Sequence, residues 1–441
     1  MGRRRKPRSK KQFRKTVFSN GLTLVTEQHP EYRSLSVGVW VKAGTRHERP
    51  RETGISHFLE HMLFKGTETR SALDIVREVD RVGGEFNAFT SREYTCFHIL
   101  VLDRDVGLAA DVLSDVLLNS TFDAGEFETE RKVIQQEIAI TEENPEELAT
   151  DLFFERLYGR HGLGRQILGY DASVRRLRRA DLLRYYRKHY VPEQIIISVS
   201  GSVSHEALVR RFRPLLGQGR WPGRPKKHQS RRKLGLVQAP RVRSGLWWER
   251  RPSEQSHVIW GVETAKYTSR DRFICLLLNC YLGVGMSSLL FQEIREKKGL
   301  AYSVYSSLSS FIDSGVLSVY AGTHPAQIFN CIKLIEECVA QVCKTSLTED
   351  ELASVRDNLK GSLLLGADNV EARMSSIAKN EIIFGRYYSI DEVCDLIDEV
   401  TPQDIRRVAR KIFGHGKRSV LILGPKPPRS VVKKVKDWAG D

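Results

Sequence analysis

No run of about 20 consecutive apolar residues occurs in the 441-residue chain, which excludes a transmembrane helix. Cysteine is sparse and poorly spaced. The seven residues Cys96, Cys275, Cys280, Cys331, Cys338, Cys343 and Cys394 are odd in number, and no two have CxxC spacing. This excludes a disulfide framework and a cysteine-bound zinc, and predicts reduced thiols in a cytoplasmic compartment. Acidic residues are missing from two blocks. Residues 1–15 hold nine Lys/Arg and residues 208–243 hold twelve, with no Asp or Glu in either. These 21 charges exceed the chain's net +16, so the remaining residues sum to −5 and the basicity belongs to an arm and a middle segment. Such blocks are expected to be solvated, and no nucleic-acid-binding signature accompanies them, so a nucleic-acid partner is not expected. No apolar run follows the N-terminal charges, as a secretory signal requires. The segment is acid-free like a mitochondrial transit peptide, but Pro7 and the lack of leucine spoil an amphipathic helix. The mitochondrial matrix is therefore kept as the alternative location.

What is present is enough apolar sequence, 41%, to bury sizeable cores, in a chain long enough for two domains of about 200 residues. The chain also repeats itself. SVGVWVKAG around Trp40 resembles SHVIWGVETA around Trp260; EFETERKVIQQE with Arg131 resembles ELASVRDNLKGS with Arg356; Asp181 and Gly201 match Asp404 and Gly424. These offsets all lie between 220 and 225 and predict an internal duplication. β-Branched runs at 17–28, 34–44, 85–91, 94–102 and 195–200 read as strands. Helical patterns cover 53–65, 72–83, 104–118, 123–143, 146–157 and 180–188. The expected fold is α+β, two similar domains each with a mainly antiparallel sheet and helices packed on one face. The expected divisions are a basic disordered arm (1–15), an N-terminal domain (16–215), a Gly/Pro-rich basic linker (216–245) and a C-terminal domain (246–441).

The sequence GISHFLEHMLFKG carries the chemistry. On a helix, His57 and His61 lie about 40° apart and one turn along the axis, with Glu60 within about 60° of His57. Two imidazoles so placed can grip a zinc ion beside a carboxylate that takes a proton from water. A histidine pair alone is more readily a surface or capping feature, and zinc needs a third ligand. The helix over 123–143 offers Glu130 and Glu137, seven residues apart on one face with Val133 and Ile134 between them. Either both acids are buried and meet a cation or donor, or the stripe is shallow and both reach water.

The HxxEH order, with HFLEHMLFKGT, NAFTSREYTCF, ERKVIQQEI and REKKGLAYSVYSS, resembles the pitrilysin family of zinc metallopeptidases, the inverzincins. It looks most like the branch holding the processing-peptidase β subunit and its bacterial homologues. The resemblance implies a metalloendopeptidase with one Zn2+ per chain. It makes His57, His61 and Glu137 the zinc ligands, Glu60 the general base and Glu130 a carboxylate orienting a ligating histidine. It places the substrate peptide on an edge strand at Asn87, Ala88 and Phe89. Tyr302 would bond the oxyanion and Arg295 the substrate main chain. Shifted by 220–225 positions, the histidines fall in LLLNCYLGVG and Glu137 falls near Gly361 and Ser362, so the C-terminal domain is expected to be inactive and to complete the substrate chamber. The branch builds its chamber from four domains, which implies a homodimer or a heterodimer with a related subunit, acting on peptides or unfolded proteins. The rival readings are a non-catalytic structural subunit, as relatives in respiratory complexes are, and a basic nucleic-acid-binding protein using the arm and linker.

Overall fold

The computed structural model describes residues 12–218, 221 and 239–440. Eleven strands form two sheets: β1 Phe13–Val17, β2 Thr23–Gln28, β3 Ser34–Val41, β4 Glu85–Thr90, β5 Thr95–Leu102, β6 Ile195–Gly201, β7 Gly245–Arg250, β8 Ser256–Glu263, β9 Ala301–Ser310, β10 Gly315–Thr323 and β11 Ser419–Gly424. The first sheet has the order β1-β2-β6-β3-β5-β4 and the second β7-β11-β8-β10-β9. Apart from β1 the two orders are the same, and each contains a single parallel pair, β2 with β6 and β7 with β11. The strands and helices read from residue pattern in the first repeat are present, except that 17–28 is not one strand: a turn over 18–22 separates β1 from β2.

Three of the four repeat markers do the same local work in both sheets. Arg131 donates to the carbonyls of Val174 and Leu177, and Arg356 donates to that of Val400, tying each long helix to the chain before its closing helix. Asp181 and Asp404 accept the backbone N–H of Arg178 and Thr401, capping equivalent helices. Gly201 (φ 134°) and Gly424 (φ 154°) end β6 and β11, where a Cβ would lie within 3 Å of the neighbouring strand's backbone. The tryptophans are a correction. Gly201 sits against Leu35 and Gly424 against Ser256, so the true offset in β3 and β8 is 221 and the counterpart of Trp40 is Gly261. A slip of one residue flips the side chain to the other face. Trp40 packs with Met374 and Ile377, whereas Trp260 joins the core of Ile335 and Val408.

The chain divides into two compact units that are not contiguous halves. The first draws its described residues from Met1–Ala139, Arg165–Gln238 and Leu364–Asp391, the second from Ile140–Gly164, Ala239–Leu363 and Glu392–Asp441. The helices of each repeat gather on one face of its sheet, around Phe58, Leu113 and Tyr186 in the first unit and Leu278, Ile332 and Val408 in the second. The opposite face carries one helix taken from the other repeat: Val370–Phe384 lies on the first sheet and Pro145–Tyr158 on the second. The expectation of domains ending at 215 and starting at 246 is thereby corrected. Packing explains the exchange. Gly38 leaves room beside Trp40 for Met374, while Gly261 leaves a gap in which Phe153 sits.

The expected arm and linker are also shortened. Phe13, Arg14 and Lys15 belong to β1, where Phe13 stacks on Tyr387 at 4.3 Å and Lys15 pairs with Glu381. Leu216 and Trp221 are buried in the first core, and β7 begins at Gly245. The rest of the arm (1–11) and of the linker (219–220, 222–238) lies outside the described residues. No described helix is long and apolar enough to cross a membrane.

Candidate metal centre

The helix Ile55–Leu63 starts at Gly54, whose φ of 91° favours glycine and where a Cβ would lie 3.0 Å from the Gly169 Cα. Its free N–H groups are met by Glu48, which accepts from Gly54 at 3.1 Å and Ser56 at 2.9 Å. Burial pushes the Glu48 carboxyl up to about 7 against these bonds. The helix Ala124–Glu143 is set against it by Phe127, which stacks on Phe58 at 4.5 Å, and by the buried Ile134 and Ile138. The Arg131 guanidinium lies over the Phe127 ring as well as tying the helix to the Leu177 carbonyl.

These two helices bring His57, His61, Glu130 and Glu137 together. The His57 and His61 rings are 4.5 Å apart. Their Nε2 atoms lie 3.7 and 3.6 Å from one Glu137 oxygen. One ligand atom from each of the three falls within 4.8 Å of the others, and among the described residues no other such group occurs. The Nδ1 of His61 is taken by Glu130 at 3.0 Å, which leaves Nε2 free to face Glu137. Lys65 pairs with the other Glu130 oxygen at 2.5 Å. The Nδ1 of His57 is buried without a hydrogen-bond partner. Two imidazoles and a carboxylate converging this closely form a candidate metal site, of donor types that zinc takes.

The two carboxylates of the long helix differ. Glu130 is buried, whereas the Glu137 side chain is 42% exposed at the rim, and Val133, expected between them, faces outward at 41%. A helix face is about 100° wide, and the row from Phe127 through Glu130 and Ile134 to Ile138 already fills it.

Electrostatics separate the roles further. Burial, and then the neighbouring His61, lower His57 to about 3, keeping it neutral. Burial also acts to lower His61, but the Glu130 bond and the Glu137 and Glu60 charges raise it. Burial raises Glu137. Burial likewise raises Glu60 to about 7, opposed by Thr90, whose hydroxyl donates to Glu60 at 2.6 Å. A carboxyl near 7 is well matched to general-base work at neutral pH. Thr90, Lys65 and Glu48 escaped the sequence reading. The alternation of β4, which points Thr90 to the same face as Ala88, and the i+4 spacing of Lys65 from His61 were the available signals.

β4 is an edge strand, paired only with β5 among the described residues. Ala88 lies on the face of the metal helix, whereas Phe89 turns to the other face and meets Trp40 edge-on at 5.6 Å. The Asn87 side chain accepts its neighbour Ala88's N–H at 2.9 Å. In the second unit, the Arg295 guanidinium stacks over Tyr302 at 4.8 Å, and Tyr302 is 76% exposed at the start of edge strand β9.

The chain is 40% identical to an uncharacterized zinc protease of Streptomyces coelicolor over 93% of this chain and 89% of that one. It is 37% identical to one of Bacillus subtilis over 91% and 96%. A Helicobacter pylori protease superposes with a TM-score of 0.87 at 21% identity, covering 94% of this chain and 99% of that one, and so shares the fold. Residues 23–171 match the insulinase (peptidase family M16) profile and 176–359 the peptidase M16 inactive domain. The chain therefore belongs to the insulinase family of peptidases, family M16.

Proposed function

We propose that this protein is a zinc-dependent endopeptidase cutting extended peptides or leader sequences, with His57, His61 and Glu137 holding the metal. The observation that carries this reading is the convergence of those three side chains within 4.8 Å beside a buried Glu60. Bound there, zinc would supply a Lewis acid and lower the pKa of water at the open position. Glu60, held by Thr90, takes the proton from the attacking water and passes it to the leaving amine. Glu130 fixes the His61 ring with Nε2 toward the metal, and Lys65 keeps Glu130 charged. The substrate adds as a strand to the outer edge of β4 near Asn87, Ala88 and Phe89, gaining main-chain hydrogen bonds that demand no particular sequence. Displacement of the Asn87 side chain frees the Ala88 N–H for that pairing. Tyr302 is assigned to the oxyanion and Arg295 to the substrate main chain, and a second, related chain to the assembly.

The test is a quenched peptide mixture with the wild type, with chelator, and with Glu60→Gln, alongside zinc analysis. Chelator-sensitive cleavage that disappears in Glu60→Gln, with one zinc per chain retained, is expected. Zinc lost from Glu60→Gln would contradict the assigned roles, and absence of both cleavage and zinc from the wild type would favour a structural subunit.

A further inference from the structure

In the first unit the outer edge of β2 is covered by β1, paired antiparallel from Phe13↔Glu27 to Val17↔Thr23. β7 is the counterpart of β2 in the second sheet, and among the described residues no strand lies on its outer edge. Between β7 and the helix Arg429–Ala439 lies a cavity of about 590 Å³. Trp248, Ile422 and Val432 supply its apolar lining, and the buried Trp248 indole N–H has no acceptor. Arg250, Lys426, Arg429, Lys433 and Lys436 surround it, all exposed and none in an ion pair among the described residues. Of the two acids there, Glu249 is already engaged by Arg156.

The duplication shows what such a groove takes. β1 is fastened to the helix His205–Phe212 by Arg14 on Glu206 and by Thr16 on His205 at 2.7 Å. The 223-residue offset puts Arg429 where Glu206 stands, so the charge that meets the added strand is reversed. We propose that β7 and this groove bind an extended acidic segment of another polypeptide, added to the sheet as a strand with alternating apolar and acidic side chains. The open edge offers a row of N–H and C=O groups that a peptide backbone satisfies and a nucleic acid does not. The chain's own segments outside the described residues are poorly matched to it: residues 1–11 carry seven Lys/Arg and 222–238 carry six, with no acid in either.

The experiment uses the full chain carrying Glu60→Gln, so that the probe survives. Fluorescence anisotropy is read with a labelled nine-residue peptide alternating Glu and Ile, and with its Lys-for-Glu counterpart. The Glu peptide should bind at least about tenfold more tightly, a difference of 1.4 kcal/mol, weaken with salt, and change Trp248 fluorescence. Arg429→Glu with Lys433→Glu should reverse the preference between the two peptides, a result that mere loss of folding does not give. In the otherwise wild-type chain, the same two substitutions should leave quenched-peptide cleavage unchanged. The proposal is overturned by equal binding of both peptides, by an unchanged preference in the charge-reversed chain, or by a dT oligonucleotide that binds the groove as tightly. It is also overturned if deletion of 222–238 is needed for binding, which would make that segment the occupant. A dimer dissolved by Arg429→Glu without peptide binding would make the occupant a second copy and overturn it too.

Discussion

Replacing Arg373 with methionine strands a buried carboxylate and should loosen the exchanged helix from the first sheet. Arg373 donates to both Glu27 oxygens, at 2.8 and 2.6 Å, and Tyr387 adds a third bond at 2.5 Å. Burial alone would raise the Glu27 carboxyl, but His29, Arg373 and Tyr387 outweigh it and hold it at about 2. Holding it there rather than at the ordinary 4.5 corresponds to about 3 kcal/mol at neutral pH, similar to the roughly 3–5 kcal/mol lost on breaking a buried pair. Arg373→Met should therefore lower the first unit's unfolding midpoint by about 10 °C. The double variant Glu27→Gln/Arg373→Met should recover most of that loss, because no charge is left unpaired. Glu27 is a group with a depressed folded pKa. Its stabilisation is complete above about 4.5, declines as pH falls towards 2 and is gone below. Thermal scans of the three proteins at pH 7 and pH 3 read both effects. An unchanged midpoint in Arg373→Met, or a double variant no better than the single one, would refute the assignment of this pair as the fastening of the exchanged helix.

Three further outcomes follow from the metal centre. Thr90→Val removes the bond that lowers Glu60, so the acidic limb of the kcat/KM profile should move to higher pH, with kcat down about tenfold; an unmoved limb would remove Thr90 from the mechanism. Glu130→Gln should weaken zinc by about 10–100-fold in competition with a chelator while the fold melts as before. Gly54→Ala places a Cβ 2.8 Å from the Leu168 carbonyl at a left-handed φ, and should cost about 1–3 kcal/mol in urea unfolding.

The donor set was legible because helix geometry converts spacing into position: His57 and His61 at i and i+4, and Glu130 and Glu137 at i and i+7, need only one helix contact to meet. The duplication was legible through residues whose work is local and backbone-directed. Arg131 and Arg356 satisfy carbonyls, Asp181 and Asp404 cap helices, and Gly201 and Gly424 fit tight strand ends. Trp40 and Trp260 misled because a large apolar residue in a strand fills whichever face has space, and the space is set by a helix distant in sequence. The exchange of Pro145–Tyr158 and Val370–Phe384 stayed hidden for a related reason. Both helices follow the long helix of their own repeat, so their order is the same whichever sheet receives them. Only pairs such as Met374 with Trp40, or Phe153 with Gly261, reveal the destination.

The second repeat also separates what the fold needs from what the metal needs. Its long helix, Glu349–Gly366, keeps the anchoring Arg356. At the 225-residue offset Glu130 becomes Val355, packed against the second core, and Glu137 becomes Ser362. The histidine helix becomes Arg272–Gly283, with Leu277, Leu278 and Leu282 buried. The same frame therefore closes with an apolar side chain at the position where the first repeat buries a carboxylate. Burying Glu130 has no architectural necessity, and without His61 and Lys65 it would be destabilising. Its presence at that position in one repeat alone goes with its hydrogen bond to His61, and so fits the proposed role of Glu130 at the candidate metal site rather than a need of the fold.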